Sequence, residues 1–236
     1  MQEKSIGSSF VLGLLIALGL LGLGFFLSQA VLKVKGMERS VGVKGLAEKE
    51  VKADTAIFPI RFQNTAPDMA TLNKKLQSDL EKIMKFLAKL GFDKTEITIA
   101  PPQINDRVAQ NYENINTDVR FIADSMITVY TKKVDKVITL QQKLYLLTQK
   151  GIIARNDQYE TKYIFTGLNT IKPQMIEVAT KNARNAAEKF AKDSHSSLGK
   201  IKHASQGYFS INDRDPSTPY IKKVRVVTNV SYYLDD

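Results

Sequence analysis

The sequence has no cysteine and only two histidines, His195 and His203, in 236 residues. The absence of cysteine excludes disulfides, thiolate metal sites and cysteine nucleophiles. Two histidines without an H-E-x-x-H spacing give little support to a zinc site, and we expect both on the surface. The sequence also has no G-x-S-x-G turn, phosphate-binding loop or dinucleotide fingerprint. We therefore expect no cofactor and no bound metal.

Few side chains suggest catalysis. The stretch from Asp193 to Ser197 contains the letters of a nucleophilic triad, but adjacent helical positions point about 100° apart and do not form one by themselves. This stretch is predicted to be a polar helix end. Glu48, Glu50 and Asp54 cluster near the first strands without the spacing of an acid/base pair. The prediction is a protein with no catalytic residue, and not an enzyme.

The formal charge is strongly positive, at +10. Residues 1–35 contain three lysines and one glutamate, a net charge of +2, so +8 belongs to the remainder. This excess attracts anionic partners in general. A membrane anchor favours an anionic envelope component, and we expect no nucleic acid. The candidate interaction residues are Lys222, Lys223, Arg225, Arg107 and Arg214.

A long uncharged apolar run, Phe10 to Leu27, follows a short tail of residues 1–9. It is long enough to cross the hydrocarbon core, and we assign residues 10–32 to a transmembrane signal-anchor helix and 33–39 to a linker. The alternative is a signal peptide cleaved after Ala30, although the run exceeds a usual signal core. The flanking lysines do not fix the orientation, because long domains translocate largely regardless of such charges.

Hydrophobic periodicity in residues 40–236 predicts an α+β domain with mostly antiparallel sheets. Alternation predicts strands around Val41–Lys44, Thr55–Phe62, 96–105, 119–131, 158–166, 200–211 and 220–234. Three-and-four spacing predicts helices over 72–90, 134–149 and 173–198. Pro59 cannot donate a ladder hydrogen bond, so its strand is expected at an edge or with a bulge. Lys74 and Lys75 could form an anion-binding patch, but a solvated helix face is the favoured interpretation.

The domain resembles two copies of one unit. Ile104-Asn105-Asp106-Arg107 recurs as Ile211-Asn212-Asp213-Arg214, and Val119-Arg120 recurs as Val224-Arg225, at offsets of about 105 residues. Both parts are predicted as strand, helix, strand, loop and strand. We infer an internal duplication, about 54–131 and 158–234, with the helix at 134–149 joining the halves. The loops 108–118 and 215–219 would then be equivalent.

The last predicted helix contains a stripe of small residues. Ala179, Ala183, Ala186, Ala187 and Ala191 follow three-and-four spacing, with Ile176 and Phe190 as the large side chains nearby. Such a stripe allows close approach of a sheet or a neighbouring subunit.

Three spaced motifs occur within about residues 38–234. They are Val41-x-Val43-x-Gly45-x-Ala47 with Asp54-Thr55-Ala56, Leu87-x-x-Leu90-Gly91-Phe92 with Glu96-Ile97, and Ala179-x-x-x-Ala183-Arg184-x-x-Ala187-Glu188-x-x-Ala191 with Leu198-Gly199-x-Ile201. In their order and spacing these stretches resemble the SIMPL-domain family of bacterial envelope proteins. The resemblance implies a domain facing the periplasm, homo-oligomerisation, envelope or oxidative-stress physiology and no established catalytic residue. The expected function is a non-enzymatic, membrane-anchored protein that self-assembles or binds a partner. A binder or enzyme acting on an anionic envelope ligand is the alternative.

Overall fold

A computed structural model describes residues 4–36, 39–109, 119–156 and 160–235. The chain forms two compact units from interleaved segments. Unit 1 comprises Met1–Glu48, Lys172–Ser210 and Arg225–Asp236, and unit 2 comprises Lys49–Ile171 and Ile211–Val224. The predicted class, α+β with mostly antiparallel sheets, is confirmed.

Helix α1, Lys4–Gly36, contains the predicted apolar run. Its segment Phe10–Val31 has a mean hydropathy of 2.6, and none of this window is buried in the protein. An apolar helix without a protein partner around it is suited to lipid. The described residues therefore contain one helix that is long and apolar enough to cross a membrane.

One sheet has four strands, and most of its residues belong to unit 1. Strands β1 (Ser40–Lys52), β10 (Ile221–Asp235) and β8 (Ser197–Gln206) lie side by side in that order, and β9 (Ser210–Asp213) also pairs with β10. Helix α4, Leu168–Asp193, carries the alanine stripe. Among the described residues of unit 1, Val43, Ala183, Ala187, Val230 and Tyr232 form one buried apolar cluster.

The sheet of unit 2 has six strands around a long central pair, β2 (Thr55–Ala66) and β5 (Phe121–Thr131). These two strands pair without interruption from Ala56↔Thr131 to Ala66↔Phe121. Strands β3 (Ile97–Ile99) and β4 (Gln103–Asp106) pair with β5, whereas β6 (Ala154–Arg155) and β7 (Lys162–Ile164) pair with β2. Alternate residues of β2 and β5 join one apolar core with helices α2 (Met69–Lys89) and α3 (Val134–Lys143).

The expectation for Pro59 was wrong. Its strand β2 is central, and the β2–β5 register has no bulge at Pro59↔Thr128. On its other side β2 pairs with β7 only at residues 55–57 and with β6 only at 61–62. The gap between these short strands faces Pro59, whose carbonyl accepts a hydrogen bond from Asn156 Nδ2 at 2.6 Å. Because the N and C=O of an extended residue point to the same side, the missing N–H costs no ladder bond.

Several predicted boundaries were wrong. Helix α4, predicted over 173–198, starts five residues before Pro173 and ends at Asp193. Leu198, the predicted last residue of the helix, lies in β8. The helix predicted over 134–149 changes to 3-10 geometry at Leu144 and continues so to Lys150. The strand expected at 158–166 is limited to β7 within the described residues. Phe190, placed near the inward stripe, is 59% exposed.

The end of α4 contains a residue in an unfavourable backbone conformation. His195 has φ 54°, and the following Ser196 N–H donates to Ala191 O at 2.9 Å. This left-handed position after a helix is the one that glycine fills most often. The predicted polar helix end is confirmed, and both histidines are exposed.

His195→Gly should therefore stabilise the protein, by about 1 kcal/mol, since glycine avoids the Cβ clash of this conformation. Thermal melting of the full chain in neutral detergent would measure it. Ser194→Gly is the matched control, because Ser194 has a negative φ and gains nothing from glycine. A lower melting temperature for His195→Gly than for the parent would contradict the prediction.

Candidate functional site

The five basic residues proposed from the sequence lie on two hairpins. Arg107 follows β4 in the β4–β5 hairpin. Arg214 follows β9, and Lys222, Lys223 and Arg225 lie on β10. The structure therefore places four of the five on the second hairpin and its long strand. What each can bind depends on its partners.

Lys222 is not an exposed binding cation. It is buried, at 8% exposure, on the inward side of β10, and its ammonium forms an ion pair with Asp213. A buried lysine is retained in its charged form only when such a partner compensates its desolvation. The Lys222–Asp213 pair therefore has a structural role across the β9–β10 hairpin.

Arg214 is held in a turn network. Its Nε donates to Asp215 Oδ2 at 2.9 Å, its Nη2 donates to Thr218 Oγ1 at 2.8 Å, and its Nη1 lies 3.5 Å from Glu50 Oε2. The hydroxyl of Thr218 and the guanidinium of Arg214 lower the pKa of Asp215 to about 2. These contacts fix the loop at 215–219 and leave little of the Arg214 charge uncompensated.

The remaining three candidates also have partners. Arg107 Nη1 donates to Val119 O at 3.4 Å, and Arg225 Nη1 lies 3.8 Å from Glu48 Oε1. Lys223 is exposed and also has an interaction partner. The five residues thus form separate local contacts and do not converge on one anion site.

The two hairpins support the inferred duplication in one respect and not in another. In both tetrapeptides Asp is the last residue of a short strand and Arg follows it. The backbone N–H of each Arg donates a hydrogen bond to a carbonyl at the beginning of the second strand of its hairpin. Arg107 N donates to Arg120 O, whereas Arg214 N donates to Ile221 O. By this pairing Arg120 corresponds to Ile221 and not to Arg225. The duplication of about 54–131 and 158–234 stays a prediction, and residues 110–118 of the first loop lie outside the described residues.

Asp54 is a structural carboxylate in unit 2. Its Oδ2 accepts hydrogen bonds from Thr166 N at 2.7 Å and from Gly167 N at 3.1 Å, directly before helix α4, and its Oδ1 accepts from Thr55 Oγ1. Partial burial alone would raise the pKa of Asp54, but the hydrogen bonds from Thr166, Thr55 and Gly167 outweigh it and hold the pKa below its ordinary value. The charge thus compensates unpaired N–H groups at the start of a helix.

Asp54→Asn should lower the free energy of unfolding by about 1–2 kcal/mol at pH 7, since charged acceptors form the stronger hydrogen bonds. The native carboxyl has the lower pKa, so its contribution is present above the unfolded pKa of about 3.9 and is lost as the pH falls through the folded pKa. Denaturant unfolding of both proteins at pH 7 and at pH 3 measures this. An equal difference at the two pH values would disprove the role of charge.

Gly45 of β1 allows a close approach between this strand and helix α4. A Cβ built on Gly45 would lie 1.8 Å from Ala179 O, 2.6 Å from Ala183 N and 2.8 Å from Ala183 Cβ. The backbones of β1 and α4 therefore touch at Gly45, and Asn182 Nδ2 donates to the neighbouring Leu46 O at 2.8 Å. Ala179, Ala183 and Ala187 are fully buried.

One comparison with known proteins shows the family of this chain. A family model described as SIMPL, a protein of unknown function (DUF541), matches residues 41–232, well over half of the chain. The chain belongs to the SIMPL family. No curated protein matches the sequence.

The structure gives a physical reason for the motifs of this SIMPL chain. Gly45 of the first motif contacts Ala179 and Ala183 of the last, so the two form one packing contact. Asp54 fixes the start of α4. Gly91 ends α2 with φ +83°, and its carbonyl accepts hydrogen bonds from Lys133 and Lys136. In this chain, packing and backbone conformation therefore account for Gly45, Asp54 and Gly91 of these motifs.

A cavity that no sequence pattern indicates lies on the outer face of the SIMPL domain's six-stranded sheet. It has a volume of about 440 Å³, and Arg61, Gln63, Gln103, Asp124 and Arg155 are among its lining residues. Arg61 is bound through two contacts to Glu160, of 2.7 and 3.0 Å, and Gln63 donates to Asp124 at 2.9 Å. No motif signals this cavity, because strand pairing, as in Arg61↔Arg155, brings its residues together.

Proposed function

We propose that this SIMPL protein is a non-enzymatic protein anchored in the membrane by α1, with its domain on the periplasmic side. The observation that carries the proposal is the Phe10–Val31 segment, which has no protein packed around it. An exposed apolar surface of this length is unfavourable in water and favourable in hydrocarbon. The periplasmic orientation and a role in envelope or oxidative stress rest on the family resemblance.

The titratable groups support a non-enzymatic role. Catalytic acids and bases usually have pKa values shifted toward neutrality. Partial burial of Glu96 acts to raise the pKa of its carboxyl. Hydrogen bonds from Lys133 and Thr131 outweigh this effect and lower the pKa to about 2. Asp54 and Asp215 are also held in their charged forms by neighbouring donors. These carboxylates fix loops and helix ends, which accounts for their shifts without catalysis.

The sheet of unit 1 supports self-assembly or partner binding. Strands β1 and β8 are the two ends of the order β1-β10-β8 among the described residues. Residues 200–206 of β8 are all exposed, and Ile201 is 52% exposed. Edge strands with free N–H and C=O groups pair readily with another chain. We propose that the protein assembles with copies of itself or with a partner protein, rather than acting on an anionic envelope ligand through its separately paired basic residues.

Three measurements on the full chain test this function. A reporter that functions only outside the cytoplasm should be active when it is fused after Asp236. Activity of a reporter that functions only in the cytoplasm would refute the periplasmic orientation. Intact mass of the membrane-extracted protein should include residues 1–30, because cleavage after Ala30 would remove the anchor. In neutral detergent, a monodisperse oligomer would support self-assembly. The proposal of assembly is contradicted if the protein is a monomer in detergent and cross-linking in membranes joins it to no other protein.

A further inference from the structure

Three lysines follow one face of helix α2 in unit 2. Lys82, Lys85 and Lys89 are spaced three and four residues apart, and such positions share one side of a helix. Lys150 ends the 3-10 segment Leu144–Lys150. All four lysines line one open groove of about 540 Å³, in which Ala88 is the only small side chain. Two elements distant in sequence therefore bring four lysine side chains to one groove.

The charges around this lysine groove are not balanced locally. Lys82 Nζ lies 3.0 Å from Asp79 Oδ1, and Lys85 Nζ lies 3.8 Å from Glu81 Oε2 in an exposed pair. Within the described ranges, Lys89 and Lys150 form no ion pair. The four lysines of the groove thus have two carboxylate partners between them. The net charge of the whole protein is +10.

Lys150 is positioned by its surroundings. Its Nζ lies 5.7 Å from the ring centroid of Phe86, a buried residue of α2, which is within the range of a cation–π contact. This contact directs the Lys150 ammonium toward the α2 side of the groove. The helix macrodipole accounts for a lysine in the last turn, such as Lys89, but its effect does not reach Lys82 or Lys85. Helix capping therefore does not explain the whole cluster.

We propose that the lysine groove binds phosphate groups of a small molecule or a lipid headgroup. Lysine ammonium groups are compact point charges with three rotatable donors, and lysine binds phosphate in this way in many proteins. The methylene stems of the lysines and Ala88 provide apolar contact for the part of the ligand next to the phosphate. The site is separate from the five basic residues of the hairpins and does not depend on the membrane orientation proposed above.

The test uses the full chain in neutral detergent and inorganic pyrophosphate as the probe. Lysine-specific acetylation followed by mass spectrometry should show protection of Lys89 and Lys150, and calorimetry should show binding that weakens with salt. The double variant Lys89→Gln/Lys150→Gln should bind about tenfold more weakly. The matched control is Lys143→Gln/Lys189→Gln, which removes the same charge from exposed lysines of α3 and α4 and should bind within twofold of the parent.

A second arm distinguishes the source of the phosphate. Phosphatidylglycerol is added to the micelles in place of pyrophosphate, with phosphatidylcholine as the zwitterionic control. Protection by pyrophosphate supports a soluble phosphate compound, and protection only by phosphatidylglycerol supports a lipid headgroup. The proposal is overturned if neither probe protects Lys89 and Lys150, or if both double variants lose the same affinity.

Discussion

Gly45→Ala should strongly destabilise the SIMPL domain, by at least about 3 kcal/mol. The added Cβ would lie 1.8 Å from the backbone oxygen of Ala179 and 2.6 Å from the backbone nitrogen of Ala183. Neither atom is the end of a flexible side chain, so β1 or α4 must move as a whole. We expect a large fall in melting temperature, or loss of the folded protein from the membrane fraction.

Gly42→Ala is the matched control for this substitution. Gly42 lies on the same strand, and its added Cβ would meet only Ser231 Oγ, at 3.6 Å, which is an ordinary contact. Both variants make the same change of glycine to alanine in a strand. Thermal melting that gives equal midpoints for Gly42→Ala and Gly45→Ala would show that the close approach of β1 and α4 is absent.

Ala183→Leu should lower the free energy of unfolding by about 2–3 kcal/mol, the upper part of the range for overpacking a core. Ala183 is fully buried and lies in the core cluster with Val43 and Val230. Its Cβ faces Gly45, where the space between strand and helix is already too small for one methyl group. Denaturant unfolding of the full chain in detergent measures the loss.

Asn185→Leu provides the comparison, because Asn185 is exposed on the same helix. Leucine is a better helix former than asparagine, so this variant should be neutral or slightly more stable. Equal unfolding midpoints for Ala183→Leu and Asn185→Leu would disprove the packing argument.

Much of the fold could be predicted from periodicity. Helix α2 was predicted over 72–90 and spans Met69–Lys89, because its leucines recur with the helical period and Gly91 ends it with a positive φ. Burial alternates along β5 from Ala123 to Thr131, as expected from the alternation that predicts a strand at 119–131. These patterns are local, since each depends on the side of one element that faces the core.

The sequence by itself determined the apolar helix α1, the α+β class, the main helices and strands, and membership of the SIMPL family through its spaced motifs. Only the tertiary structure decided how Pro59 is accommodated, that Gly45 touches Ala179, and that Lys222 is buried against Asp213. It also decided which lysines share a groove with Lys150. The reason is physical: periodicity fixes which face of an element is apolar, whereas pairing between distant segments fixes which residues meet.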